Sequence, residues 1–463
     1  MQDVSEQTKY QISIFNSYKI KIFKILRPFL NKFDRLTPFF TTESFLVYYF
    51  FLVVLFGRSF TGIEILGVRV GELMIGTALL IFLYYVVLKG KFISAVLGQK
   101  VSIVLRFILI SFIASNLFIN GISSFVNPQV YRSSSYIWSV GFLFVLYFVN
   151  KTKIFDSNMF LTGMFFALPL TYILTSVYYP NFIEYFFQNF ADKFRYLKGS
   201  DLFLIYAIYC LLFFERIKNN NFIYIFTFIV SGTLIPLIVF SSRGASIGAF
   251  IVLFYSIYKN RKSFLKNKIL FLGSMVAFVA CLTLSSIYLD WTKIDFEEIN
   301  TEMALDSLEM TLISKRYPET VKPTFYFEDN RINSGDGNLN WRLQIWQDVI
   351  QDLSDKNIIF FGYGYDSAIP AMERIDRKGI DGSNIHVHNY FVNILARGGL
   401  IHLSLMVLFY VFLISKLINL QNSNNAVAFI FAALFVSFFD SSMETVRFPF
   451  LFYTVLSYKL KQE

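Results

Sequence analysis

The sequence predicts an all-α, polytopic membrane protein, and three observations predict it. Hydrophobic residues make up 55% of the 463 against 16% charged, where a soluble domain carries about 25% charge. Aromatics reach 19%, with 57 Phe and 28 Tyr, more than one globular core hides but readily absorbed by lipid-facing and interfacial surfaces. Apolar windows close to the roughly 20 residues that cross a bilayer recur along the chain, and twelve can be placed. A wholly soluble protein is excluded.

The windows lie near Ser44 to Thr61, Glu72 to Leu88, Val101 to Asn120, Ser133 to Asn150, Asn158 to Tyr179 and Asp201 to Glu215. Six more follow near Phe222 to Phe240, Ala245 to Tyr258, Lys268 to Leu289, Tyr390 to Ser415, Ala426 to Asp440 and Phe448 to Lys459. The sixth, eighth and last are short. The formal charge of +10 reads first as topology, since basic residues mark cytoplasmic loops; nucleic acid is not an expected partner. Alternate loops hold the basic groups between Lys9 and Arg35, then Lys89, Lys91, Lys100, Lys151, Lys153, Arg216, Lys218, the cluster Lys259 to Lys268, Lys416, Lys459 and Lys461. The others hold Arg58, Arg69, Arg132, Lys193, Arg195, Lys198, Arg243 and Arg447. Both termini are therefore expected in the cytoplasm.

Four regions follow from this pattern. Residues 1–43 form a basic amphipathic N-terminus, with Tyr10 to Arg35 lying on the inner leaflet. It is not expected to act as a cleaved signal peptide, because the first strongly apolar run begins more than forty residues in and more spans follow. Residues 44–289 hold spans one to nine, 290–387 a large extracytoplasmic loop, and 388–463 spans ten to twelve with a short tail. Loops of about a hundred residues usually carry function, so chemistry is expected outside. Cys210 and Cys281 sit within apolar runs and suggest neither a disulfide framework nor a zinc site.

Polar residues gather at a few places. All three histidines, His386, His388 and His402, fall at the junction of the loop with span ten. They fit a metal pair completed by Asp366 or Asp381, ordinary loop histidines bonded to backbone, or a general base. His388 or Asn389 is placed to cap the helix that starts at Tyr390. A helix amino terminus carries partial positive charge, which keeps an imidazole neutral and able to accept a proton. Ser241-Ser242-Arg243-Gly244 opens span eight on the outer side, an arrangement that attracts phosphate or simply an arginine that snorkels to the interface. In the loop, Trp341, Ile345, Trp346, Val349, Ile350 and Leu353 make one apolar helical face with Arg342 in its middle. A guanidinium there needs an anionic partner, a loop carboxylate or a ligand. Gly362 and Gly364 allow tight turns shortly after.

Taken in order, Phe240-Ser241-Ser242-Arg243-Gly244, Trp341-Arg342 through Trp346, Phe361-Gly362-Tyr363-Gly364 and His388-Asn389 followed by Gly399 resemble the bacterial O-antigen ligase and polymerase family. The tail Phe438-Phe439-Asp440-Ser441-Ser442 is similar too, and the resemblance covers roughly the second half of the chain. It implies a GT-C-like inner-membrane glycosyltransferase that uses an undecaprenyl-pyrophosphate-linked oligosaccharide donor at the periplasmic face, without metal or cofactor. It also implies a glycan or lipid A-core acceptor, membrane lipid as surroundings, and a chain-length regulator protein as a partner. Carried over by residue, His388 activates the acceptor hydroxyl and Arg243 and Arg342 hold the pyrophosphate, with Ser242, Gly244, Trp341, Asp366, His386 and Asn389 in support. Where ligases tend to carry Gly-x-x-Gly, Gly399-Leu400-Ile401 is followed by His402, which favours a polymerase over a ligase. The rival class is a lipid-linked glycan flippase or other transporter. Against it, the chain shows no two related six-span halves and few ionisable residues within spans, Arg106 being the main exception.

Overall fold

The computed structural model of the chain describes residues 42–149, 155, 158–214, 221–266, 268–297, 325–328, 330–374, 377, 386–419 and 424–461. The expected surface helix Tyr10 to Arg35 and the loop acids Glu298, Asp376 and Asp381 lie outside them. The chain divides into two compact units at Tyr48. The described part of the first, Thr42–Tyr48, is the opening of helix α1; the second holds every other element.

Each of the twelve apolar windows coincides with a helix. They are α1 (Thr42–Thr61), α2 (Val70–Leu88), α4 (Gln99–Asn120), α6 (Ser135–Phe148), α7 (Asn158–Tyr172, continuing as a wide turn Ile173–Val177) and α9 (Gly199–Phe213). The second set is α10 (Asn221–Ser241), α11 (Arg243–Lys266), α12 (Lys268–Glu297), α14 (Tyr390–Ile418), α15 (Asn424–Phe438) and α16 (Arg447–Lys461). Short helices α3 (Gly90–Leu97), α5 (Pro128–Ser133) and α8 (Asn181–Phe190) lie between them, and α13 (Gly337–Asp355) lies in the long loop. Among the described residues, six segments are long and apolar enough to cross a membrane: Val70–Leu88, Gln99–Asn120, Phe160–Val177, Ile223–Ser241, Lys268–Leu289 and Tyr390–Ile418. Four more are shorter apolar helices. The chain is thus an all-α membrane protein whose β structure, among the described residues, is two hairpins, β1–β2 (Glu64–Ile65, Val68–Arg69) and β3–β4 (Tyr326–Glu328, Arg331–Asn333).

Local chemistry sets the helix limits. Gly98 and Gly121 bracket α4 at φ 93° and 76°, a conformation that costs glycine least and so stops the helix cleanly. The Asn127 side chain accepts from the Gln129 amide at 2.9 Å, with Pro128 at the first position of α5. The loop expected from Asp290 starts later, because 290–297 contain no glycine or proline and α12 runs on to Glu297.

Two helices are buried on every side and form the centre: α9, apolar nearly all round, and α16, which also buries Arg447, Thr454, Ser457 and Lys459. Arg447 of α16 donates from Nε to both carboxylate oxygens of Asp201 in α9, at 2.9 and 2.8 Å. Helix α12 lies at the periphery against α10, exposing Leu272, Val276, Val279 and Leu284. Gly232 of α10 faces the Phe278 carbonyl, the close approach that small residues permit between membrane helices.

Candidate functional site

The site is built around the start of α14. The Asn389 side chain accepts from the amides of Phe391 at 2.9 Å and Val392 at 3.1 Å, so Asn389 is the cap. The residue before it, His388, has φ 53°, a left-handed conformation uncommon for a residue with a Cβ and concentrated at functional sites. Helix α13 holds it there. Trp346 donates from its indole nitrogen to the Val387 carbonyl at 2.8 Å, and the Trp341 ring lies 5.4 Å from the His388 ring. Ile345, Trp346, Val349 and Leu353 bury the apolar face of α13 against Tyr363, Ile369, Val387 and Ala396. Ile350, expected on that face, is exposed; it sits at the edge of the stripe and points outward.

Helix α14 is broken at Gly399, where φ is 70°. The loop after α13 straps the break: the amides of Tyr363 and Gly364 donate to the carbonyls of Ala396 at 2.7 Å and Arg397 at 3.0 Å, and the Leu400 amide donates to the Ile359 carbonyl at 2.8 Å. Gly362 and Gly364, at φ 73° and 74°, make these turns. Backbone groups freed inside an apolar span are satisfied this way, as they must be. His402, beyond the break, is fully buried with Nδ1 2.6 Å from the Ser111 hydroxyl, apart from the other two histidines.

Charged groups converge on His388 from four segments. Arg342 donates from Nη1 to the Phe439 carbonyl, while its Nε is buried without a partner. Asp440 and Asp336 act on it electrostatically, so its direct partner is a carbonyl, and the carboxylates expected from sequence stand nearby. Asp440 accepts from the Ser200 hydroxyl at 2.6 Å and the Ser441 amide at 2.8 Å. Burial would raise this carboxyl, but Lys198, Ser200, His388 and Arg342 bring it below its usual range. Arg243 reaches Asp336 at 2.6 Å with 88% of its side chain exposed. Asp336 also caps α13 through the Leu339 amide, and that bond, with Arg243, holds its carboxyl low. Ser242 caps α11 by accepting from the Ala245 amide at 3.4 Å. At Gly244 a Cβ would stand 3.0 Å from that of Phe439, so the glycine lets the start of α11 lie against Phe439.

His388 makes no hydrogen bond among the described residues and is pushed down to about 4, chiefly by burial and then by Arg342, with Asp440 opposing. It is a neutral imidazole with its nitrogens available. His386 stands 2.8 Å from Glu444, whose carboxyl burial raises. Asp366 instead accepts from Asn127. Among the described residues no group of three His, Cys, Asp or Glu side chains lies close enough to hold a metal. The structure therefore gathers His388, Asn389, Trp341, Arg342, Arg243, Ser242 and Gly244, and adds Lys198, Asp440 and Glu444. Each addition is a charged residue flanking an apolar run on the side of His388, a signal present in the sequence.

Residues 220–407 match the family model described as O-antigen ligase. That stretch contains Arg243, Arg342 and His388, and ends before Asp440. No curated protein matches the chain.

Proposed function

Taking the chain, by its residues 220–407, as a member of the O-antigen ligase and polymerase family, we propose that it is a polysaccharide polymerase. It transfers glycan from undecaprenyl pyrophosphate to a sugar hydroxyl at the periplasmic face of the inner membrane. The observation that carries this reading is an unbonded neutral imidazole, His388, beside Arg342 of the loop helix, with Arg243 joined to the same group through Asp336.

A sugar on pyrophosphate already has a good leaving group, so the reaction needs one base and positive charge rather than a carboxylic acid pair. His388 takes the proton of the acceptor hydroxyl, whose oxygen forms the new bond to the anomeric carbon. The bond from that carbon to pyrophosphate breaks, and the electron pair leaves with the phosphate oxygen opposite, which inverts the configuration. Arg342 and Arg243 pair the departing oxygens, because the guanidinium fork matches two at once and stays charged. Arg342 keeps its Nε unspent for this, and Arg243 would leave Asp336 for the incoming phosphate. The donor's negative charge also raises His388 toward a useful basicity, so donor binding precedes deprotonation.

A second reading, transfer of finished glycan to lipid A-core, is favoured by the description of the matching family model. One experiment separates the two: surface polysaccharide ladders and extracted lipid-linked intermediates from a deletion strain complemented with wild type or His388→Ala. A polymerase gives a wild-type ladder that collapses to single repeats in the variant. A ligase gives a variant without capped core in which lipid-linked polymer accumulates. An unchanged ladder overturns both and returns the flippase reading.

A further inference from the structure

Helix α9 begins at the site although it lies outside the segment that matches the family. Local contacts fix its first residues there. The chain before it is pinned to the end of α1: the Ser59 hydroxyl both donates to the Arg195 carbonyl and accepts from its amide, each at 3.0 Å, and Leu197 is buried against Gly57. At Gly199 a Cβ would stand 2.5 Å from that of Ser242 and 3.1 Å from the Ser242 amide nitrogen. A glycine therefore lets the start of α9 lie directly against the residue that caps α11 and precedes Arg243. The Ser200 hydroxyl then donates to Asp440 at 2.6 Å. Lys198 thus stands one residue from the contact with Ser242 and two from the contact with Asp440.

No carboxylate neutralises it. Lys198 is exposed, and among the described residues its ammonium forms no ion pair. Asp201 accepts from the Lys198 amide at 3.4 Å, but both its oxygens are held by Arg447 at 2.9 and 2.8 Å. Asp440 accepts from the Ser200 hydroxyl and the Ser441 amide and faces two cations, Lys198 and Arg342. Asp336 pairs with Arg243, and the next carboxylate, Glu444, faces Arg397 and His386. Among the described residues, Lys198, Arg342 and Arg243 are therefore set against Asp440 and Asp336, with one cation in excess. A lysine supplies a point charge on a flexible stem, suited to a phosphoryl group that two guanidinium forks leave unmatched. The donor diphosphate carries negative charge on each phosphoryl group and gains more as its bond to sugar breaks, so a third cation has charge to meet. We propose that Lys198 binds the donor pyrophosphate together with Arg342 and Arg243. This rests on the reading of the donor as a lipid-linked pyrophosphate and adds to it a ligand from outside residues 220–407.

The test uses the full-length protein in phosphatidylcholine nanodiscs and measures the Kd of undecaprenyl pyrophosphate. Lys198→Gln should weaken binding about tenfold with an unchanged thermal melt, and Lys198→Arg should recover most of the loss. The same loss should appear on an Asp440→Asn background, where Lys198 has no carboxylate to balance. Binding by Lys198→Gln that equals wild type overturns the proposal. So does a loss that vanishes on the Asp440→Asn background, which makes Lys198 a counter-ion alone. Should Asp440→Asn not fold, the melts decide: removing the counter-ion of a buried carboxylate lowers the melting temperature, and removing a phosphate ligand does not. Phosphatidylglycerol binding that falls in Lys198→Gln while pyrophosphate binding holds makes Lys198 a headgroup contact and also overturns it. A wild type that does not bind the probe removes the lipid pyrophosphate donor and the proposal with it. A chain that shows the Lys198 effect but keeps its ladder in His388→Ala retains the site and loses the polymerase reading.

Discussion

At the residue scale, the pairing of His388 with Arg342 has a consequence for pH. The free imidazole titrates at about 4, and a base works only when deprotonated, so activity is lost as pH falls through its pKa. The acid limb of kcat/KM should therefore lie near 4, below the ordinary histidine value. That of kcat at saturating donor should lie higher, since bound pyrophosphate favours imidazolium. PH-rate profiles with donor limiting and saturating check this; a limb near the ordinary value in both would refute it. Arg342→Lys keeps the charge but loses the fork that reaches the Phe439 carbonyl while leaving Nε for ligand. Transfer measured with purified donor should fall about a hundredfold or more, and unimpaired turnover would remove the bidentate role.

At the element scale, the break in α14 and the α9–α16 ion pair are the features that hold the site in place. A Cβ at Gly399 would collide with the Phe360 backbone at a φ of 70°, so Gly399→Ala should lower stability by more than about 2 kcal/mol. Gly273→Ala, where nothing lies within 4 Å, should lose none; thermal melts in detergent compare them. Asp201→Asn leaves Arg447 buried without its counter-charge and should cost about 3–5 kcal/mol, read from the same melts. The helices were legible because apolar runs near bilayer length have few other uses, His388 and Arg243 because each borders such a run, and Arg342 because it interrupts the apolar face of the loop helix α13. The break at Gly399 was not legible, since hydrophobicity continues through it and only the strapping loop reveals where its carbonyls go. Nor were the roles of Lys198, Asp440 and Glu444, which reach the site from segments far apart in sequence and meet only through packing of α9, α14, α15 and α16.

At the scale of the whole molecule, the helix ends that hold Arg58, Glu72, Arg132, Asp201, Arg243 and Arg447, with Asp192 between helices, are tied together by ion pairs. Arg132 meets Glu72 at 2.6 Å, Arg447 meets Asp201 and Arg243 meets Asp336, so the site draws on loops that the alternating topology puts on one side. Lys100 over the Phe412 ring and Lys461 on the Leu146 carbonyl belong to the loops of the other side. Positive-inside bias predicts that the second side is cytoplasmic, and the proposed reading then requires Arg243 and Arg342 to face outward. The expectation is tested on a Cys210→Ala/Cys281→Ala background with single cysteines at the exposed positions Lys356, at the C-terminal end of α13, and Arg261, in the basic last turns of α11. A membrane-impermeant maleimide should label Lys356→Cys in intact spheroplasts and Arg261→Cys only after permeabilisation. The reverse pattern would put His388 in the cytoplasm, and glycosyl transfer at the outer face would then have to be abandoned whatever the histidine does.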